Sequence, residues 1–218
     1  MKQQLTINVP KDWSAVTLQQ FLDLKRDMET YKDEPDAIVA CLFHHLAKFP
    51  VQYLQQLDID TYIAIKKDIY DFFNKVELPL KRFIQIDGVE YGFEPNLSQM
   101  AYGAYLDISK YESLEVNEKW AEIMSILYRP VVKKVGALYD IEAYTGKIEK
   151  DKFLEVPMDV HWGAIFFFKG LLADLQSSIL NSLMKDSEEI PAKIKSILLA
   201  SGKAIPQSFS SQMEILRK

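Results

Sequence analysis

One cysteine, three histidines and eight glycines in 218 residues leave little material for several common chemistries. The lone Cys41 excludes an internal disulfide and a multi-cysteine metal site, which suits a reducing cytoplasm or a setting where oxidation is irrelevant. The glycines are scattered, with none in G-x-G-x-x-G or G-x-x-x-x-G-K order, so neither dinucleotide binding nor nucleotide hydrolysis is expected. A basic surplus is lacking too: Lys and Arg number 26 against 31 Asp and Glu, for a net charge of -5, which argues against nucleic acid as a partner. The most hydrophobic stretch, 162–168, is bounded by Asp159, His161, Lys169 and Asp174. It falls far short of the ~20 apolar residues of a membrane span, so no membrane segment is expected. Met1-Lys2-Gln3-Gln4 leads into an alternating segment and not an apolar run, so no secretory leader is expected either.

What is present is a globular composition, 48% apolar and 26% charged. The pattern switches from helical spacing to two short β-like runs at residues 83–93, arranged about Asp87-Gly88. That pair supplies the positive φ values of a two-residue type I′ turn, so a hairpin is predicted. A lone hairpin is barely stable in water, and the alternating Leu5-Thr6-Ile7-Asn8-Val9 is the expected third strand.

The remainder reads as helices. Thr17 and Gln20 have capping-box spacing, with Val16 and Phe21 placed as a hydrophobic staple, and the helix runs to about Met28. A second carries Val39, Leu42, Phe43 and Leu46 and ends at Pro50, and a third carries Tyr62, Ile65, Ile69, Phe72, Phe73 and Val76. Pro95-Asn96 should start one helix through Leu97, Met100, Ala101, Ala104, Tyr105 and Ile108. Asn117 should cap another through Trp120, Ile123, Met124 and Leu127, closed by Arg129-Pro130. Residues 131–150 have no sustained period and read as irregular, with a short strand near 138–141. From Pro157 to Met184 one long helix is predicted; its first half is apolar nearly all round, as in an element central to the core. A final helix starts at Ser187-Glu188-Glu189 and ends at Gly202. The expected fold is mainly α, a single domain over 1–202 around that long central helix, with a small antiparallel sheet from the N-terminal strand and the Asp-Gly hairpin. Residues 203–218 read as a mobile tail or an arm that orders on a partner.

Candidate chemistry is sparse. Cys41 and His45 stand at i, i+4 beside His44, but a zinc site needs three or four ligands and only His161 remains. A small buried thiol beside a surface histidine is the expected arrangement. Asp58 and Asp60 precede a helix, where capping is the commoner role of an aspartate. Together with a histidine they are also the best constellation for a metal-dependent enzyme, a remote alternative; no enzyme, cofactor or metal is expected. Arg129, Lys133 and Lys134, flanked by Tyr128 and Tyr139, could receive an acidic segment of a partner, or else form a solvated loop. Tyr102, Tyr111 and Tyr144 fit the core stripes poorly, and exposed tyrosines favour interfaces. In the tail Phe209, Met213 and Leu216 have the spacing of a helix-in-groove contact.

Three stretches, Ile7 to Trp13 with Val16 to Phe21, Ile86 to Leu97, and Tyr128 to Gly136, resemble small proteins of tailed bacteriophages of the Bacteroidetes, crAss-like phages included. The resemblance spans roughly residues 5–185. Such proteins sit among virion and tail-assembly genes and are likened to tail assembly chaperones. The resemblance implies a protein acting through protein–protein contacts in the host cytoplasm during assembly, with tape measure or other tail and virion proteins as partners and homo-oligomers possible. A component of the mature virion (tail, connector or internal protein) is the alternative. No catalytic or cofactor residue comes with it.

Overall fold

The computed structural model describes residues 9–74, 78–111 and 115–186. Helices and a small four-stranded antiparallel sheet make up the described residues, so the fold is mixed and mainly α. Helix α1 spans Leu18–Thr30. It begins on a complete capping box: the Gln20 N–H donates to Thr17 Oγ1 at 3.2 Å and the Thr17 N–H to Gln20 Oε1 at 3.1 Å. Val16 and Phe21 are both buried, closing the staple. Helix α2, Pro35–Ala47, ends where Lys48 turns left-handed at φ 53° and the Phe49 N–H reaches back to the Phe43 carbonyl at 3.1 Å. Helix α3, Ile59–Phe73, is capped by Asp58, whose Oδ1 accepts from the Thr61 N–H at 2.9 Å.

Trp13 ties these helices together. It opens a short 3-10 turn, Trp13–Ala15, and its ring centroid lies 5.9 Å from Phe21, 4.3 Å from Phe72 and 5.7 Å from Trp162. One continuous cluster of buried apolar side chains runs from Trp13 to Ile165.

The predicted hairpin is present as β1, Phe83–Ile86, and β2, Val89–Phe93, with Ile86 opposite Val89 across Asp87 and Gly88 at φ 51° and 78°. The strand order is β1-β2-β3-β4, where β3 is Tyr128–Val135 and β4 is Leu138–Ile141. The strand beside β2 is therefore β3, with Tyr91 opposite Pro130. The Leu5–Val9 strand falls on residues 1–8, outside the described residues, apart from Val9.

Strand β3 corrects the reading of 131–150 as irregular apart from a short strand near 138–141; that short strand is present as β4. Helix α5, Trp120–Leu127, passes into β3 at Tyr128 with no loop between them. Pro130 stops a helix as expected, yet its fixed φ also suits a strand, where it costs only one ladder donor. Its carbonyl accepts from the Glu142 N–H at 2.9 Å. The register shifts between Val131 and Lys133, a bulge that breaks the alternation a strand is recognised by.

The helix expected from Pro95 is broken. Asn96 Oδ1 accepts from the Ser98 N–H at 3.2 Å and closes a short 3-10 turn, Leu97–Gln99, after which Met100 and Ala101 leave helical geometry. Helix α4 then runs Tyr102–Ser109. Helix α6, Lys150–Leu154, precedes the long α7, Met158–Asp186. The start of α7 is pinned to that of α1 by Met158 N–H to the Val16 carbonyl at 2.8 Å and Leu18 N–H to the Val156 carbonyl at 3.1 Å. Among the residues whose burial is described, its buried ones lie at 158–165; 166–169 are half-buried, and Gly170 and Leu171 face solvent. The final helix and residues 203–218 lie outside the described residues. Among the described residues no helix is long and apolar enough to cross a membrane.

Candidate functional site

Half of β3 carries its apolar side chains outward. Beyond Pro130 the strand is paired to β4 through Val131↔Ile141 and Val135↔Leu138, and the hairpin tip between them presents Val132, Val135 and Leu138 at 67%, 64% and 79% exposure. Between this tip and α7 lies an open groove of about 880 Å³. Phe93, Tyr139 and Leu80 form its floor, Val135 and Leu138 one wall, Phe167 and Leu171 the other. Arg82, Lys133, Asp140 and the Arg129-paired Glu94 are its charged lining residues, and Lys133 and Asp140 stand opposite each other across β3 and β4.

Tyr139 sets the floor because Gly92 leaves room for it. A Cβ at Gly92 would come within 2.8 Å of the Tyr139 ring, and the Tyr139 hydroxyl donates to the Phe93 carbonyl at 2.6 Å. Burial pushes the Tyr139 phenol up, so it stays a neutral donor.

The electrostatics separate the basic residues sharply. Arg129 Nη2 pairs with the buried Glu94 Oε2 at 2.6 Å, its Nη1 donates to the Ile126 carbonyl at 2.9 Å, and its Nε donates to the Glu142 carbonyl at 2.8 Å. Lys134 Nζ pairs with Glu90 at 2.9 Å and lies 3.5 Å from the centroid of the Phe83 ring. Lys81 is paired with Asp159. Arg82 and Lys133 are exposed and have no ion-pair partner among the described residues.

This geometry revises the expected patch of Tyr128, Arg129, Lys133 and Lys134. Tyr128 is fully buried and donates its hydroxyl to the Lys81 carbonyl at 2.6 Å, so its ring is core and not contact surface. Arg129 is spent on Glu94 and two carbonyls, and Lys134 is held along the sheet. Of the four, Lys133 alone has no ion-pair partner among the described residues; Arg82, which lines the same groove, was not singled out by the sequence. Phe209, Met213 and Leu216 lie outside the described residues. The available signal for the groove was Val132, Val135 and Leu138, apolar residues around a Gly136 turn in an otherwise charged segment.

Of the three tyrosines, Tyr102 is 74% exposed on α4. Tyr111 donates to Glu122 at 2.6 Å, and Tyr144 donates to Asp107.

The remaining candidates resolve into structural roles. His45 Nε2 lies 2.7 Å from Asp27 Oδ2. Burial first, and the Asp27 charge second, push the Cys41 thiol up, which disfavours the thiolate a nucleophile needs. Asp58 is held below the usual carboxylate range by the Thr61 N–H and hydroxyl that it caps. His161 is buried in α7, far in sequence from His44 and His45. Among the described residues no three His, Cys, Asp or Glu side chains come together to hold a metal ion. No protein-family model matches the chain, and neither the curated proteins nor the solved structures yielded a match.

Proposed function

We propose that the protein works by protein–protein contact, with the groove between the β3–β4 hairpin and α7 as its contact surface. The observation that carries this is the groove's make-up: apolar side chains left open to water at Val135, Leu138 and Leu171, with Arg82, Lys133 and Asp140 among the charged residues that line it. Exposed apolar side chains clustered within a polar rim are typical of association surfaces. The resemblance to phage tail-assembly proteins makes the reading concrete: a tail assembly chaperone that shields an apolar, helical partner such as the tape measure protein, acting in the host cytoplasm. In this reading residues 1–202 form one domain organised on α7, with Leu5–Val9 adding a strand to the sheet.

Mass spectrometry tests the assignment. A chaperone is abundant in infected cells and missing from purified particles. A stoichiometric amount in particles instead identifies a tail, connector or internal virion protein, the second reading that the resemblance supports.

A further inference from the structure

We propose that helix α3 is a self-association surface, which pairs in solution with α3 of a second copy of the chain, antiparallel about a two-fold axis. This goes beyond the groove, since no α3 residue lines it. Helix α3 turns Ile65, Ile69, Phe72 and Phe73 into the core. On its other side Asp60, Ile63, Ala64 and Lys67 are all exposed, Ile63 to 55%. These four fall at i, i+3, i+4 and i+7, one stripe along a helix of 3.6 residues per turn. Ile59, 67% exposed, flanks the stripe one turn before Ile63.

The stripe is its own complement. Reversed against a second copy about a point midway between Ile63 and Ala64, it sets Asp60 opposite the second copy's Lys67 and Ile63 opposite the second copy's Ala64, and both contacts recur across the axis. A large apolar side chain meets a small one at the centre, and a carboxylate meets an ammonium at each end. Asp60 and Lys67 have no ion-pair partner among the described residues. Lys67 has Asp71 one turn on along its own helix, but the neighbours of Asp60 at i+3 and i+4 are Ile63 and Ala64, so its own helix offers it no cation. The remaining charges of α3 stand beside the stripe, half-buried Lys66 on the Ile59 side and exposed Asp68 and Asp71 on the Ala64 side. The Asp58 carboxylate is taken up by the Thr61 N–H and hydroxyl. A helix pair of this length falls short of the roughly 800 Å² per partner of a standard-size interface, so the dimer is weak and concentration-dependent.

The test is sedimentation velocity of the full chain over a dilution series, for the parent, Asp60→Lys, Lys67→Asp and an equimolar mixture of the two variants. The parent is expected to show a reversible monomer–dimer equilibrium. Each variant alone turns two attractions across the axis into two repulsions and should dimerise about tenfold more weakly. The mixture places two lysines on one copy against two aspartates on the other, so it should recover the parent affinity to within about threefold. Both substitutions lie at exposed positions, and recovery on mixing cannot arise from a variant that fails to fold. A parent that stays monomeric throughout, variants that dimerise like the parent, or a mixture no tighter than its components overturns the proposal. None of these outcomes bears on the groove, which is tested through partner binding.

Discussion

At the scale of single residues, His161 shows what burial does to a titratable group. Its side chain is fully buried, and desolvation holds its pKa down to about 3 against an ordinary 6.5, outweighing the opposing pull of the nearby Val156 and Phe153 carbonyls. Below 6.5 the unfolded chain takes up a proton that the folded chain refuses, so acid favours unfolding. The loss begins as the pH falls through 6.5 and levels off near 3. It amounts to roughly 2 kcal/mol at pH ~5. Urea unfolding of His161→Phe, compared with the parent at pH ~7 and ~5, should show the pH-dependent loss shrinking by that amount. An equal loss in both proteins would mean that another group titrates.

Arg129 is the opposite case, a buried charge with every partner in place. Removing it leaves the Glu94 carboxylate, 8% exposed, without its counter-ion. Arg129→Ala is expected to cost about 3–5 kcal/mol. Arg129→Ala with Glu94→Gln should recover a large share, measured by denaturant unfolding. A loss under about 1 kcal/mol for the single change would place the pair among solvent-screened surface bridges.

At the scale of elements, α7 is seated by a close approach. A Cβ on Gly163 would lie 2.5 Å from the Pro79 carbonyl oxygen, whereas Gly170 has nothing within 4 Å. Gly163→Ala should therefore destabilise the protein by about 1–3 kcal/mol despite the better helix former. Gly170→Ala should stabilise it by up to ~1 kcal/mol. Thermal melts of the two variants moving in the same direction would contradict this packing.

Elements whose signals are local could be read from the sequence. The Thr17–Gln20 box and the Asp87-Gly88 turn each specify their geometry within a few residues, and both are present as expected. Strand β3 could not be read in the same way. Its start is fused to α5, it contains Pro130, and its bulge at 131–133 removes the period, so it becomes a strand only through pairing with β2 and β4. The groove was illegible for the same reason: Arg82, Leu138 and Phe167 are far apart in sequence and meet only once the sheet packs near α7. Arg129 and Lys133 read alike as members of one basic run, but their partners Glu94 and open solvent are tertiary facts.

At the scale of the whole molecule, one core joins residues 13 to 165, while α7 carries its apolar sequence out beyond the core to Leu171. The β3–β4 tip and this helix together leave Leu138, Val135 and Leu171 uncovered by the described residues. The central claim is that this is where a helical partner binds. Its most direct test is the binding isotherm of the purified protein with the tape measure protein, run in parallel for the parent and Leu138→Glu. The account predicts saturable binding that weakens about tenfold in the variant, whose melting temperature is unchanged. No binding by either protein, or equal binding by both, would contradict it.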